Sequence, residues 1–155
     1  KLSQSDVRKY LIKAADSQRR RYPKILHQVG DKFNRVFNFM MEDTYMQLHL
    51  NFGKEKIEKI YLVQGSFAVL FFNNNGEIEK VAFLKKGGYD YIEIPSFTWH
   101  TYVMLCNNVI SYETMMGRFN PRTWKSFADW APEEKSVESR KYLELLKQQA
   151  INTKK

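Results

Sequence analysis

Residues Tyr45–Gly65 read YMQLHLNFGKEKIEKIYLVQG, with His49 and Asn51 two apart, Glu58 further on, and an apolar run closing at Gly65. Successive side chains of an extended strand point to opposite faces, so His49 and Asn51 project one way while Leu48 and Leu50 project the other. Two polar groups therefore share a face that would otherwise be core. A second stretch, Ile92–Val103 (IEIPSFTWHTYV), offers His100 at the start of an aromatic and β-branched run. Two of the three histidines in the chain thus fall inside strand-like segments.

Outward from this stretch, short β-like runs with turn signals follow one another closely, the texture of an antiparallel sandwich or barrel. The candidates are Arg35–Met41, Thr44–Asn51, Lys59–Gln64, Phe67–Phe72, Glu79–Leu84, Tyr89–Ile94, Trp99–Leu105 and Val109–Met115. Asn73-Asn74-Asn75-Gly76 supplies an Asn-Gly hairpin signal, since both residues tolerate positive φ. Lys86-Gly87-Gly88 marks a second turn. Before the β region, Ser3-x-x-Asp6 resembles a helix cap, and Val7, Tyr10, Leu11, Ala14 and Ala15 recur at helical spacing, predicting a helix over about 4–18. Tyr22-Pro23 ends it at the latest, and residues 23–33 read as a loop containing His27. After the β region, Trp124–Trp130 carries large apolar groups expected over an open barrel end. Pro132-Glu133-Glu134 then predicts a helix over about 133–150, with Val137, Tyr142, Leu143, Leu145 and Leu146 on its apolar side. The expectation is one domain over 1–155, with its barrel at about 33–117.

Composition sets limits. A chain of 155 residues, 43% hydrophobic and 15% aromatic, can bury a core without staples. The single Cys106 allows no internal disulfide and no cysteine-based zinc cluster, which points to a reducing cytoplasm. No apolar run reaches the roughly 20 residues of a membrane helix. KLSQSDVRKY has no apolar h-region of a secretory signal, while Lys1 in place of methionine leaves room for a preceding segment. The formal charge of +8 comes largely from the ends, in Arg19, Arg20, Arg21 and Lys24 and in Lys141, Lys147, Lys154 and Lys155. It forms no stripe interleaved with aromatics, so a solvated basic surface is expected rather than a nucleic-acid partner.

His49-x-Asn51, Glu58 with Gly65 beyond it, Gly88, and Pro95-Ser96-Phe97-Thr98-Trp99-His100 together resemble the two signature motifs of the cupin superfamily. More of the chain is similar to the WbuC-type cupins. The matching runs are Asn34-Arg35-Val36, Thr44–His49, Ile94-Pro95 with Trp99-His100-Thr101, Glu113, Gly117-Arg118-Phe119-Asn120-Pro121 and Phe127–Glu134. That resemblance implies a mainly β fold, a double-stranded β-helix (jelly-roll) with flanking helices, and one divalent metal ion (zinc, iron, nickel or manganese) held by His49, Glu58 and His100. It also implies surface-polysaccharide or nucleotide-sugar biosynthesis as the setting, and a homodimer.

Two departures stand out. Asn51 occupies the place of the second histidine of His-x-His, and Phe97 occupies that of a glycine, so the turn before His100 is expected to carry a bulky residue. The segment between Asn51 and Glu58 is longer than usual, leaving Glu55 as a rival carboxylate; the spacing to Gly65 favours Glu58. An amide oxygen is a weak neutral donor, so Asn51 as a fourth metal ligand predicts weaker binding shifted toward harder ions, although two imidazoles and a carboxylate suffice for a catalytic metal. Without the wider pattern, a core histidine bonded to Glu58 or Asn51 is the better reading of His49. Glu58 is harder to explain so, because a carboxylate on a core face must be paired or neutralised. Glu58 and Tyr102 are the expected proton-transfer groups, and Arg35, Tyr45, His27 and Glu113 the expected ligand contacts. The expected ligand is a small, polar, sugar-related molecule. The expected chemistry is isomerase- or epimerase-like proton transfer beside a carbonyl, with a non-catalytic ligand-binding or dimer-forming module as the rival. No nucleophile–base signature is present.

Overall fold

The computed structural model describes residues 2–120 and 124–153. Pro121, which closes one of the resembling runs, and Lys154 and Lys155 of the basic C-terminus lie outside the described residues. The element order is α1 (Gln4–Asp16), β1 (Arg21–Ile25), β2 (Phe33–Met40), β3 (His49–Asn51), β4 (Glu58–Gln64), β5 (Ser66–Phe72), β6 (Ile78–Lys85), β7 (Tyr91–Ile94), β8 (Trp99–Met104), β9 (Val109–Met116), β10 (Lys125–Phe127) and α2 (Glu138–Thr153). The strands form two five-stranded antiparallel sheets, β1-β2-β9-β4-β7 and β10-β3-β8-β5-β6, which makes the mainly β fold with flanking helices that was expected. Among the described residues no helix is long and apolar enough to cross a membrane.

Burial explains the pairing of the sheets. In β4, Glu58, Ile60 and Leu62 point inward while Lys59, Tyr61 and Val63 point out. The inward set meets Phe67, Val69 and Phe71 of β5, Leu84 of β6 and Met104 of β8 in a core between the sheets. Strand β5 is buried on both faces, because α2 lays Leu143, Leu146 and Ala150 against Ala68, Leu70 and Phe72 behind it. That is why SFAVLFF shows no alternation. Helix α1, capped by the reciprocal Ser3 and Asp6 bonds, packs Tyr10 and Ala14 on Phe39 and Ile110 of the other sheet.

The differences from expectation are local. Helix α1 stops at Asp16, where Ser17 takes an extended conformation and Arg20 a left-handed one (φ 55°). A strand stands where Pro23 suggested a loop; among the described residues β1 is an edge strand paired with β2, and an edge strand tolerates proline on its unpaired side. Only His49–Asn51 of Thr44–Asn51 is strand. The Asn-Gly hairpin exists, but only Gly76 adopts positive φ (81°); Asn73 Oδ1 instead accepts from the backbone N–H of Asn75 and Glu77, closing a longer side-chain-capped loop. Trp124–Trp130 contains a short strand, β10. Helix α2 starts at Glu138 because residues 133–136 form a turn, with Ser136 donating to the Glu133 carbonyl, and because the Glu134 side chain is held by two arginines.

Candidate metal centre

Two strands of one sheet and one of the other build the site. His49 of β3 and His100 of β8 are direct cross-strand partners with ring centroids 4.5 Å apart. Glu58, at the start of β4, faces them across the sandwich, and all three side chains are fully buried. One potential ligand atom from each lies within 4.8 Å of the other two. Glu55, the rival carboxylate, is exposed.

The hydrogen bonds dispose these groups for a cation. His49 Nδ1 donates to the Gln47 carbonyl at 2.9 Å and His100 Nδ1 to the Thr98 carbonyl at 2.8 Å, each two residues back in the chain. With Nδ1 holding the proton, each Nε2 is left as a bare acceptor, and neither has a hydrogen-bond partner among the described residues. His100 Nε2 stands 3.4 Å from Glu58 Oε2. Two acceptors so close inside a core require a positive charge between them, an added proton or a metal ion. Glu58 Oε1 accepts from the Tyr102 hydroxyl, and Oε2 accepts from Asn51 Nδ2 at 2.7 Å. The Asn51 amide thus points its N–H at the carboxylate, while its Oδ1 is buried and unpartnered. A set of two bare imidazole nitrogens, a carboxylate and an amide oxygen suits a divalent ion of intermediate character.

Electrostatics follow the burial. Desolvation, then repulsion from Lys125 and His100, pushes His49 well below the usual imidazole range, so it is neutral. Burial would raise Glu58, but a proton added between it and His100, together with the positive charge of Lys125, outweighs that and holds this carboxyl below the usual range. Burial, then Glu58 and Glu113, pushes the Tyr102 phenol well up. A second carboxyl, Glu113 of β9, is pushed up to about 8 by burial and by the negative charge of Glu58, and Asn38 Nδ2 donates to its Oε2 at 3.0 Å.

A cavity of about 290 Å³ meets this cluster at one of its three residues, His49. His49, Tyr102, Glu113 and His27 all reach it, His27 at the rim with its ring 5.9 Å from that of Phe119. Two expected ligand contacts do not. Arg35 is exposed, with its guanidinium at the Leu26 carbonyl, and Tyr45 is buried against Tyr142 of α2 with its hydroxyl on the Pro132 carbonyl. Several groups were not foreseen. Lys125 and Phe127 of β10 pair with Asn51 and His49 and line the same cavity, as do Asn34, Asn38 and Gln47. Arg21 was expected only as part of a solvated basic surface. It is buried with Nη1 on the Tyr45 carbonyl at 2.8 Å and Nη2 on Glu134, which Arg19 also binds, and this joins β1 to the segment after β10. Pairing opposite β3 was the only available signal for β10, and three residues are too few to show a period.

Phe97 does take the glycine's place, in a left-handed conformation (φ 59°), with its N–H on the Asn51 carbonyl and its ring edge-on to Phe52. The substituted turn therefore still delivers His100 opposite His49.

The two sheets with their flanking helices form a cupin-like fold, with the His-Glu-His cluster between the sheets. Similar solved structures include protein SO0799 from Shewanella oneidensis (10% identity, TM-score 0.52, covering 68% of this chain and 69% of that one). They also include CapF with the inhibitor 3-isopropenyl-tropolone (17%, 0.54, 66% and 30%) and oxalate decarboxylase from Bacillus subtilis at pH 4.6 (13%, 0.52, 69% and 31%). The chain thus spans about a third of the length of the latter two. By sequence it belongs to the family described as Domain of unknown function (DUF6016), whose model matches residues 2–84. No curated protein matches it.

Proposed function

We propose that this chain is a metal-dependent cupin that binds a small carbohydrate-related ligand in the cavity and moves a proton beside the ligand's carbonyl, as isomerases and epimerases do. The observation carrying the metal is the pair of bare, buried Nε2 atoms of His49 and His100 around Glu58, which no donor among the described residues satisfies. His49, Glu58 and His100 would hold the ion, with Asn51 Oδ1 available as a fourth donor. A bound divalent ion would polarise a ligand oxygen or lower the pKa of a bound water.

The chain's own residues supply the proton handling. Glu58 has both oxygens engaged and is suited to holding the ion. Glu113 reaches the cavity, keeps a proton near neutral pH and is restrained by Asn38, which suits it to giving and taking a proton at the ligand. Tyr102 orients Glu58. The WbuC-type resemblance of the sequence supports a sugar or nucleotide-sugar derivative and a cytoplasmic setting. The exposed aromatic and apolar face of Phe33, Ile57, Tyr61 and Met116 supports a homodimer.

Elemental analysis of protein purified without chelators tests the reading. About one equivalent of transition metal in the wild type, lost in His100→Ala, is expected; no metal in either overturns it. The engagement of Asn51 with Glu58 favours a second reading, a cupin without turnover that only binds a ligand. Thermal stabilisation by sugars that ignores added metal would support that alternative.

A further inference from the structure

The inner face of β10 carries a charge that the metal centre does not use. Lys125 pairs with Asn51 and Phe127 with His49, so alternation turns both into the cavity while Ser126 faces away. Lys125 is half-buried, and no hydrogen bond or ion pair ties its ammonium among the described residues; its charge is felt by His49, Glu58 and Glu113 alike. The other cations of the cavity wall are committed, because Arg19 and Arg21 both grip Glu134. One free ammonium beside a polar cluster is a counter-charge for one anionic group. A second, independent feature points to a ligand: Asn34 lines the cavity and is buried, its Nδ2 donates to the Met115 carbonyl, and its Oδ1 has no partner among the described residues, an acceptor suited to a ligand hydroxyl.

We propose that the cavity takes a small hydroxy-carboxylate, a sugar acid being the type, with Lys125 binding its carboxylate and Asn34 Oδ1 accepting from a hydroxyl. This rests on the ligand-binding reading above and names the ligand's class. A cavity of about 290 Å³ lies at the low end of small-molecule sites, about 300–1,000 Å³, which suits a monosaccharide-sized molecule. A phosphate monoester fits less well, since its dianion calls for several convergent donors and the arginines that would supply them are held by Glu134.

The test is calorimetric titration of the full chain, zinc-loaded and metal-free, with D-glucuronate and L-lactate. Their neutral counterparts D-glucose and lactamide, and inorganic phosphate, are run alongside. At least one acid is expected to bind ten-fold or more tightly than its neutral counterpart. Lys125→Met, which keeps the apolar stem, should erase that preference while retaining the wild type's zinc content, and Lys125→Arg should restore most of it. Acids that bind no better than their counterparts, a preference surviving in Lys125→Met, or phosphate binding tighter than either acid would overturn the proposal. A wild type that holds neither zinc nor any other divalent transition metal would sink the metal reading alone, because the Lys125-dependent preference is still read on the metal-free protein.

Discussion

The interior of the sandwich has two ends built on the same strands. At one end Phe67 of β5 pairs with Leu84 of β6 and Met104 of β8, and every side chain is apolar; at the other, four residues along β5, Phe71 pairs with His100. Along β4 the change is equally abrupt, from Leu62 and Ile60 to Glu58. Both ends are buried to the same degree, but only the apolar one gains from it. At the polar end, bare nitrogens and a carboxylate are kept from water, which costs free energy until a cation or proton satisfies them. One end stabilises the fold, and the other is held in shape by it.

Truncation at the apolar end should give the largest effect. Leu84→Ala is expected to cost about 2–5 kcal/mol of unfolding free energy through lost burial and a residual cavity. Metal content per folded chain should be unchanged, as read by denaturant titration and elemental analysis. A large metal loss in that variant would mean that the two ends are not separable.

At the polar end, metal should supply what the protein leaves unsatisfied. Wild type with metal at a hundred times its dissociation constant should gain about 2.7 kcal/mol over chelator-treated protein. His49→Ala and His100→Ala should lose that increment in a thermal melt, and Leu84→Ala should keep it. An increment surviving in both histidine variants would place the metal elsewhere.

A smaller effect is expected from pH in the metal-free protein. The Glu113 carboxyl titrates at about 8 when folded, above the 4.5 of the free side chain. Between those values the folded state holds a proton that the unfolded state has released, so Glu113 makes stability fall as pH rises. Glu113→Gln should therefore flatten the loss between pH 5 and 8 by on the order of 2 kcal/mol, after allowance for solvent in the cavity. Equal slopes in wild type and variant would show Glu113 to be an ordinary carboxylate.

The smallest effect concerns the turn that carries His100. Phe97→Gly relieves about 1–2 kcal/mol of left-handed backbone strain but loses the ring contact with Phe52, so the net change should stay within about 1 kcal/mol. Phe97→Ala loses the ring and keeps the strain, so it should be the less stable of the two; the reverse order would mean that the turn is unstrained.

Much of this was legible in the sequence. The alternation in EKIYLVQ sets the inward phase that includes Glu58, and the two-residue spacing of His49 and Asn51 puts both on one face. The capping box of α1 and the apolar runs of β5 and β8 were equally plain. The edge strand β1 was hidden by Pro23, whose missing N–H matters in a central strand but not on a free edge. Strand β10 was hidden by its length. Arg35 and Tyr45 were misplaced because a strand's alternation says which residues share a face, not which end of the sandwich they reach.

The sequence alone therefore determined the strand phases, and with them which polar side chains had to face the core. Only tertiary structure decided that His49 and His100 meet in register, that Asn51 turns its N–H to Glu58, and that Lys125 joins them from a strand more than twenty residues beyond His100. Phase is a property of neighbouring residues along one chain segment. Register and convergence are set by the packing of two sheets, a balance summed over the whole core that no short stretch encodes.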